Sequence, residues 1–353
     1  MNKVVFIIVD NLYSGGAGRV ASILANHMLR RHKVFVFVKE PGINYQISPQ
    51  LHYEVLNDNA IYRPFKIVKR VCHLSCLIRK YKPDVIYSLG FMSKYSVFAK
   101  IISRHKHIKL VASERQDPNS EPRTTFMKRV RNYCYNKSDV LVCQTYLAAE
   151  YYRNKIKTPL IVIPNPITPN LPSWAGIESK KIVTACRLAE QKNLPLLLKA
   201  FRKFADHYPD YTLEIYGEGH LKQYLQDMVK SLLLDNKVKL MGASNNIHQI
   251  ISESFMFVLS SDYEGMSNSM IEALGIGIPT ICTDCPIGGA SMLVKNKVNG
   301  LLVPVGDVDS LYEAMLWIIA NMQQLPEMSK EASLIRERLD ENKIVVQWES
   351  LMN

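Results

Sequence analysis

The sequence lacks a long apolar segment. Its longest apolar run near the start, Val4–Val9, has six residues and leads into Asp10 and a glycine cluster. A helix that crosses a bilayer needs about 20 predominantly apolar residues, and a secretory signal peptide ends in a cleavage site of small residues that is not found here. These absences predict a protein of the cytoplasm.

Paired cysteines are also lacking. The seven cysteines are an odd number scattered through apolar runs, which favours free buried thiols over a disulfide framework. Cys282 and Cys285 have the CxxC spacing, but the sequence offers neither a second such pair nor a histidine pair to complete a zinc site. The cysteines therefore predict no metal site.

Acidic residues are scarce in the first half of the chain. Residues 1–170 hold 27 Lys and Arg against 10 Asp and Glu, a net charge of +17, whereas residues 171–353 hold 17 against 22, a net charge of −5. A positive field of that size attracts polyanions such as nucleic acid, phosphorylated substrates or an anionic membrane surface. The second half must bind any anion with a few well-placed groups.

What the chain does have is a regular alternation of apolar strand patterns and helical patterns. Six strands are predicted in the first half and five in the second, which indicates an α/β protein with two Rossmann-like domains whose parallel sheets face each other across a cleft. Prolines cluster over 164–172 and mark the boundary, so the predicted domains are 1–165 and 166–334. A last helix over 335–353 carries an apolar stripe and is expected to pack back on the first domain.

A glycine-rich turn, residues 14–18, lies between the first predicted strand and the first helix. Glycines let backbone N–H groups and a helix N-terminus approach an anion, so Gly15 and Gly16 are candidates for a phosphate contact. The turn lacks the third glycine of the dinucleotide-binding fingerprint. A tight packing turn without a ligand remains the alternative.

Two loops of the second half carry candidate ligands for a diphosphate and a sugar. Arg187 and Lys192 lie in a strand-to-helix loop, where two cations suit a departing diphosphate. Glu264 follows another predicted strand and Glu272 lies inside the next helix; their carboxylates can accept hydrogen bonds from the paired hydroxyls of a ribose or a hexose. N–H groups at the start of that helix, over 265–269, suit phosphate or sugar oxygens. Each pair alone also fits ordinary surface charges.

Five stretches of the second half, in this order and spacing, resemble the donor domain of the retaining GT-B glycosyltransferases, specifically glycosyltransferase family four. They are residues 187–193, 216–219, 238–242, 264–279 and 299–303. The first half resembles the family more loosely, through its glycine turn and the linker 163–166.

The resemblance implies a role for each matching residue. Arg187 and Lys192 would bind the donor's diphosphate and stabilise its departure, while Glu264 would contact the transferred sugar and Glu272 the ribose. The other donor contacts implied, to base, phosphate or sugar, are those of Gly15, Gly16, Gly217, Met241, Gly242, Met266, Ser267 and Asn268. Retention of the anomeric configuration is implied as well, with no metal and no cofactor.

One stretch departs from the family pattern. Many relatives place a histidine in the cleft of the first domain, but here the strand ending at Ser113 is followed by Glu-Arg-Gln-Asp-Pro. This stretch resembles members that extend bacterial polysaccharides on lipid carriers. Arg115 would then hold an acceptor phosphate or a sugar hydroxyl, and Glu114 or Asp117 would orient the attacking hydroxyl. A structural salt bridge is the alternative.

Basic and apolar residues interleave in two stretches of the first half, 62–82 and 123–131. An amphipathic basic surface can lie on an anionic membrane, where each cation contributes about 1 kcal/mol. A helix that packs its apolar face on its own sheet explains the apolar residues equally well, but not the charge of +17. Peripheral contact with the inner face of the plasma membrane is therefore expected.

The sequence thus favours a retaining, metal-independent hexosyltransferase. It would move a hexose or N-acetylhexosamine from a UDP-sugar to a sugar hydroxyl of an acceptor linked to undecaprenyl diphosphate, or of a cell-surface polysaccharide such as lipopolysaccharide or capsule. A basic nucleic-acid-binding protein is one alternative, although no recognition helix, RNP-type aromatics or zinc finger is recognisable and nucleic acid is not expected as a partner. A nucleotide-sugar epimerase of the same shape is another, although its carboxylate and histidine base set is not found.

Overall fold

The computed structural model describes residues 2–13, 15–56 and 63–352, with only the backbone of the first two residues of the last range. The chain forms two compact units, residues 1–166 with 341–353 and residues 167–340. Within the described residues, no helix combines the length and the apolar character needed to cross a bilayer.

The first unit alternates strands and helices. Its strands are β1 (Val4–Val9), β2 (Lys33–Val38), β3 (His52–Val55), β4 (Val85–Leu89), β5 (Lys109–Ser113), β6 (Val140–Cys143) and β7 (Leu160–Val162). Its helices from the N-terminal part of the chain are α1 (Gly15–Met28), α2 (Arg63–Tyr81), α3 (Ser93–Ser103), α4 (Thr125–Asn136) and α5 (Tyr146–Arg153). The strands form one parallel sheet in the order β3-β2-β1-β4-β5-β6-β7.

The central strands of this sheet are mostly apolar because helices cover both of their faces. In β1, residues 5–9 have no exposed surface, and β4 is buried along its whole length. Phe6 packs edge-on against Phe35 and Phe37 of β2, with ring centroids 5.4 and 4.7 Å away. Most charged residues of the unit are thereby left to the helices and to the loops at the ends of the strands.

The second unit repeats the pattern. Its strands are β8 (Lys181–Ala185), β9 (Thr212–Tyr216), β10 (Val238–Gly242), β11 (Met256–Leu259), β12 (Thr280–Thr283) and β13 (Leu301–Val303). Its helices are α6 (Leu194–His207), α7 (Lys222–Ser231), α8 (Ile247–Ser252), α9 (Asn268–Ile276), α10 (Val308–Ala320), α11 (Leu325–Ser333) and α12 (Ile335–Arg338). The sheet is parallel in the order β10-β9-β8-β11-β12-β13, so the predicted pair of Rossmann-like sheets is confirmed.

The predicted C-terminal helix differs from the one observed. Residues 335–338 form α12, which packs on α9 in the second unit, and the chain leaves helical geometry at Leu339. The returning helix α13 is Glu341–Ser350, and it packs on α1 in the first unit. Trp348 of α13 is fully buried there, and its carbonyl oxygen accepts a hydrogen bond of 2.7 Å from the hydroxyl of Tyr87.

Two strands escaped the sequence-based prediction. β3, His-Tyr-Glu-Val, is an edge strand whose residues are all at least partly exposed, so it lacks the apolar signal of a buried strand. β13 has only three residues. Both lie at an edge of their sheet, where pairing to a single neighbour makes weaker demands on the sequence.

Candidate functional site

The loops that follow β8 and β11 lie side by side, because these two strands are neighbours in the second sheet. Parallel strands end at one edge, where ligands of such sheets bind. The side-chain amide of Asn193 donates to Asp262 Oδ1 at 2.6 Å, and that of Gln191 donates to the carbonyl oxygen of Tyr263 at 2.8 Å. The hydroxyl of Ser260 donates to the carbonyl oxygen of Lys192 at 2.9 Å. The two loops are therefore joined at several points.

This junction brings together two of the predicted residues. Lys192 Nζ is ion-paired with Glu264 Oε1, and their side chains are only 10% and 14% exposed. The hydroxyl of Ser261 donates to the same carboxylate oxygen at 2.9 Å, and the carbonyl oxygen of Ser261 accepts from Thr283 Oγ1 at 2.6 Å. A lysine and a glutamate that are far apart in the sequence thus form one largely buried ion pair, which the hydroxyl of Ser261 also contacts.

Arg187 lies in the same loop but is exposed. Its guanidinium donates to Gln191 Oε1 at 3.2 Å, a contact near the outer limit for a hydrogen bond. Residues 190–192 form a single 3-10 turn, and Asn193 then adopts left-handed geometry (φ 39°) and caps α6 by accepting from the N–H of Leu196. The loop therefore presents one cation to solvent and holds the other partly buried.

Two glycines let backbones touch at this edge of the sheet. A Cβ at Gly217 (φ 130°) would lie 1.9 Å from the carbonyl oxygen of Cys186, and one at Gly219 would lie 2.2 Å from that of Leu188. The N–H of Gly217 donates to the carbonyl oxygen of Gly242 at 2.8 Å. The loops after β8, β9 and β10 consequently converge, with the predicted Gly217 and Gly242 at the junction and the Met241 side chain exposed beside it.

The predicted helix start after Glu264 is α9. Its N-cap residue, Ser267, makes no side-chain capping hydrogen bond; its hydroxyl lies 3.1 Å from Ser269 Oγ instead. Met266 and Ser267 are buried, and a Cβ at Gly289 would lie 2.0 Å from the carbonyl oxygen of Gly265. The segment 265–268 is therefore tightly packed at the positive end of the α9 dipole.

Glu272 lies on α9 with both carboxylate oxygens engaged. Oε1 accepts from the hydroxyl of Thr168 at 2.8 Å, and Oε2 lies 3.1 Å from Nε2 of His248 on α8. The Glu272 side chain is 15% exposed. Sequence reasoning did not find Thr168 or His248, because neither belongs to a recognisable motif and only the packing of α8 on α9 brings His248 there.

In the first unit, the glycine turn opens α1. Gly15 has φ 80° with open space around its Cα, whereas a Cβ at Gly18 would lie 2.5 Å from the carbonyl oxygen of Asn11. Close packing against Asn11 therefore explains the glycine at position 18 without a ligand. Phosphate contact by Gly15 and Gly16 stays a prediction. Residue 14 of the predicted turn lies outside the described residues.

Polar side chains that sequence reasoning missed lie where β1 and β2 end. Lys39 Nζ is 2.5 Å from Asp10 Oδ1 and 2.9 Å from Glu40 Oε1, and the hydroxyl of Tyr13 donates to Glu40 Oε2 at 2.8 Å. Hydrogen bonding from Lys39 lowers the pKa of Glu40, and the bond to Glu40 raises the pKa of Tyr13. Asp10 and Lys39 each directly follow a buried strand, and this position in the sequence could have identified them as candidate site residues.

Glu114 is buried in a polar network. Its Oε1 accepts from the N–H groups of Arg115 and Gln116, and its Oε2 accepts from the hydroxyls of Tyr152 at 2.5 Å and Tyr135 at 3.3 Å. The guanidinium of Arg131, from α4, lies 3.7 Å from Oε2. Burial raises the pKa of Glu114, although the Arg131 cation and the hydrogen-bond donors act to lower it. The contacts are those of the structural ion pair that the sequence left as the alternative.

Arg115 is also buried, but part of its guanidinium has no hydrogen-bond partner among the described residues. Its Nη2 donates to Asn165 Oδ1 at 2.5 Å, and Asn165 also accepts from Gln144 Nε2 at 2.7 Å. Its Nε and Nη1 are buried without a hydrogen-bond partner among the described residues, and burial lowers its pKa to about 10. Asp117 caps its own turn by accepting from the N–H of Asn119 and the hydroxyl of Ser120. Roles for these three residues toward an acceptor stay predictions.

The two halves of the chain match sequence profiles of known glycosyltransferases. A sequence profile for the glycosyl transferases group 1 matches residues 175–334, and one for Glycosyltransferase Family 4 matches residues 14–171. An uncharacterized glycosyltransferase of Haemophilus influenzae is 25% identical over 366 residues, covering 100% of both chains.

Two named proteins are also similar. The Campylobacter jejuni N-acetylgalactosamine-N,N'-diacetylbacillosaminyl-diphospho-undecaprenol 4-alpha-N-acetylgalactosaminyltransferase is 27% identical over 365 residues, 96% of each chain. Anabaena HepE, solved in complex with UDP and glucose, superposes with a TM-score of 0.84 at 19% identity, over 98% of each chain. The chain is a glycosyltransferase of GT-B fold that belongs to glycosyltransferase family 4.

Proposed function

We propose that this enzyme transfers a hexose or N-acetylhexosamine from a UDP-sugar, with retention of anomeric configuration, to a sugar hydroxyl of a lipid-linked or cell-surface polysaccharide acceptor. The observation that carries the proposal is the largely buried Lys192–Glu264 pair, held where the loops after β8 and β11 meet. Such a pair places a cation for phosphate beside a carboxylate for hydroxyls. Solved complexes of the similar HepE contain UDP or UDP-glucose, which supports the uridine donor.

The proposed step breaks the bond between the sugar's anomeric carbon and the UDP oxygen. Negative charge then grows on the leaving diphosphate, and nearby cations in a partly dry site stabilise it. Lys192 is well suited to this role because its ammonium is held by the protein rather than by bulk water. Arg187, exposed in the same loop, can reorient its guanidinium onto a second phosphate oxygen, since its hydrogen bond to Gln191 is long, at 3.2 Å.

We propose that Glu264 and Glu272 accept hydrogen bonds from hydroxyl groups of the donor. Ser261 and Lys192 fix the Glu264 carboxylate, so it can accept hydrogen bonds from the transferred sugar without first becoming ordered. Glu272 accepts from Thr168 and faces His248, and a ribose would exchange for one of these partners. The α9 dipole and the N–H groups over 266–268 add attraction for the phosphates.

Retention requires the acceptor hydroxyl to attack from the face that the diphosphate leaves. The departing phosphate oxygen takes the proton of this hydroxyl as the new bond to the anomeric carbon forms. We propose that no metal is needed, because Arg187 and Lys192 supply the positive charge. The chain's one Asp-x-Asp sequence is otherwise engaged: Asp307 caps α10, and Asp309 is ion-paired with Lys203.

The acceptor side is proposed to lie at the end of β5. Arg115 has two buried donors without partners among the described residues, and a phosphate or hydroxyl oxygen would satisfy them. A lipid-linked acceptor is supported by the Campylobacter jejuni relative, whose name specifies a diphospho-undecaprenol substrate. Arg115→Gln should then raise the KM for acceptor more than that for donor; an equal effect on both constants would count against this role.

Membrane contact belongs to the same proposal, and α2 contributes part of it. Its residues Val71, Leu74, Leu77 and Ile78 are buried in the sheet core, as the alternative of a helix packed on its own sheet required. At its start, however, Phe65 is 62% exposed, with Ile67 and Val68 also exposed. An anionic inner leaflet would accept these side chains and the basic residues among them.

Nucleotide binding and donor hydrolysis test the proposal. UDP should raise the melting temperature of the protein more than GDP does, and one of UDP-glucose, UDP-galactose or their N-acetyl forms should be hydrolysed slowly without acceptor. No stabilisation by any nucleoside diphosphate would sink the proposal. Salt-sensitive retention on DNA without nucleotide binding would instead favour the nucleic-acid alternative.

A further inference from the structure

A second basic feature of the first unit lies away from the loops at the carboxyl edge of its sheet. It is a surface groove of about 520 Å³, lined mainly by the end of α3, the loop that leads into β5 and the end of α4. This groove is at the amino end of β5, whereas Arg115 follows its carboxyl end. Five strand residues at about 3.3 Å each separate the two edges by roughly 16 Å.

The groove has an apolar wall and a basic rim. Val97 and Ile101 supply the wall, and the cations that line it are Lys100, Arg104, Lys106 and Lys137. Lys100 is paired with Asp139 at 3.3 Å. The other three form no ion pair within the described part of the chain. Lys137 also lies 5.8 Å from the ring centroid of Tyr133. Three cations around one groove that no described carboxylate neutralises form a site for an anion.

Cations at the ends of helices have a structural explanation, because they offset the negative end of the helix dipole. For α3 this need is already met. Arg79 of α2 donates from Nη2 to the carbonyl oxygen of Ile102 at 2.8 Å, in the last turn of α3. Dipole compensation also gives no reason for apolar side chains beside the charges. The groove therefore carries more charge than α3 requires.

Exposed apolar side chains flank the groove on α3. Ile101 is 54% exposed and Ile102 45%, and Phe98, one turn earlier, is 37% exposed. Phe98 stacks on Tyr133 of α4 with ring centroids 6.3 Å apart, so both helices contribute to one surface. Exposure of these apolar side chains to water is unfavourable. At a bilayer they would reach the boundary between headgroups and acyl chains.

We propose that this groove binds the phosphate headgroup of an anionic phospholipid in a bilayer, with Phe98, Ile101 and Ile102 entering the interfacial layer. Charge selects the occupant: residues 94–137 hold 11 Lys and Arg against 3 Asp and Glu. The site is separate from the stretches 62–82 and 123–131 expected from the sequence. The groove gives the proposed membrane contact a specific binding site. This inference rests on the proposed function in one respect: a lipid-linked acceptor would lie at a membrane.

Vesicle co-sedimentation of the full chain tests this site. The vesicles are phosphatidylcholine alone and phosphatidylcholine with phosphatidylglycerol. The test variant is Arg104→Glu/Lys106→Glu, and its matched control is Arg30→Glu/Lys157→Glu, which makes the same charge change at exposed positions of the same unit. Ile101→Ser tests the apolar part, with Val346→Ser, at an exposed position of α13, as its control.

The unaltered chain should bind only the anionic vesicles. Arg104→Glu/Lys106→Glu should lower the partition coefficient by about tenfold or more, since each cation near the surface contributes a factor of about five. The control should keep most of the binding, and Ile101→Ser should lose more of it than Val346→Ser does. These outcomes would support the groove.

Three outcomes would overturn the proposal: no binding of the unaltered chain to anionic vesicles, equal losses in the groove variant and its control, or unchanged vesicle binding with loss of DNA retention in the groove variant. UDP-induced stabilisation of the same preparations is measured alongside. It should be equal in all variants, so a failed groove and a failed donor site give different results.

Discussion

Lys192 and Glu264 lie 72 positions apart in the chain, yet they form one ion pair in the second unit. Such a pair adds little net stability when partly buried, because the loss of hydration offsets the attraction. In the proposed donor site its value would lie in position, because both charges would already be held in place before a donor arrives. The pair is therefore better explained by the proposed function than by stability alone.

Removing either partner should abolish transfer. Lys192→Ala and Glu264→Ala should each lower kcat by at least about a hundredfold, the usual loss when a group that stabilises transition-state charge is removed. Each should also lower the free energy of unfolding by about 3 kcal/mol, because the remaining charge is largely buried and loses its partner. Urea titration and a donor-turnover assay measure the two effects.

The double variant Lys192→Met/Glu264→Gln separates stability from activity. It should recover part of the lost stability, since no unpaired charge remains, while staying inactive. Arg187→Ala is the matched control for an exposed cation of the same loop: it should change stability by less than about 0.5 kcal/mol but weaken donor turnover. Full activity in either single variant would refute the assignment, and strictly additive stability losses would show that the pair is uncoupled.

At the scale of elements, the second unit builds its site from loops whose backbones touch. Gly217 and Gly219 bring the loop after β9 against the loop after β8, and the N–H of Gly217 bonds to the end of β10. A side chain at either glycine would force these loops apart. The positions of Lys192 and Glu264 consequently depend on glycines that touch neither of them.

Gly217→Ala should therefore damage both stability and donor binding. The new Cβ would lie 1.9 Å from a backbone oxygen, and φ 130° is itself unfavourable for alanine. We expect a loss of about 3 kcal/mol or more in the free energy of unfolding. Gly306→Ala is the matched control, since Gly306 also has positive φ (77°) but open space around it; it should cost about 1 kcal/mol. Equal losses would show that contact with Cys186 does not matter.

The helix α2 concerns two interpretations of the same stretch, packing on the sheet and contact with a membrane. A helix packed on its own sheet was one of the two interpretations of residues 62–82, and the apolar residues of α2 split between the sheet core and the exposed start. Hydrophobic spacing alone could not divide them, because a core face and a membrane face use the same residue types. Which residues face the sheet depends on how α2 packs beside α3.

At the scale of the whole molecule, the C-terminus belongs to the first unit. The chain leaves that unit after Pro166 and returns at Glu341. Trp348 is fully buried and packs edge-on against Tyr87, with ring centroids 5.8 Å apart. Nε2 of His27 on α1 lies 2.5 Å from Oε1 of Glu341, so a polar contact and apolar burial both hold α13.

Trp348→Ala should destabilise the first unit selectively. Truncating a fully buried tryptophan leaves a cavity and costs about 3–5 kcal/mol. Hydrogen exchange should show lost protection in α1 and β4, while the strands of the second unit keep theirs. Val346→Ala, on the same helix but 60% exposed, should leave exchange unchanged. Uniform loss of protection in both units would argue against selective destabilisation.

The sequence by itself determined the class of fold and the identity of the principal charges. Buried parallel strands require apolar runs, and loops at their ends require particular residues, so alternation and motif order were both visible along the chain. Eleven strands and the family resemblance followed from these local demands. Short or half-exposed strands such as β3 and β13 make weaker demands and were missed.

Only the tertiary structure decided which side chains meet. Nothing near Glu114 in sequence indicates that Arg131 and two tyrosines surround it, or that Arg115 keeps buried donors without partners among the described residues. His248 reaches Glu272 only through the packing of α8 on α9. Contacts between distant residues depend on where whole helices and strands pack, and that information is spread over the entire core and not over any one motif.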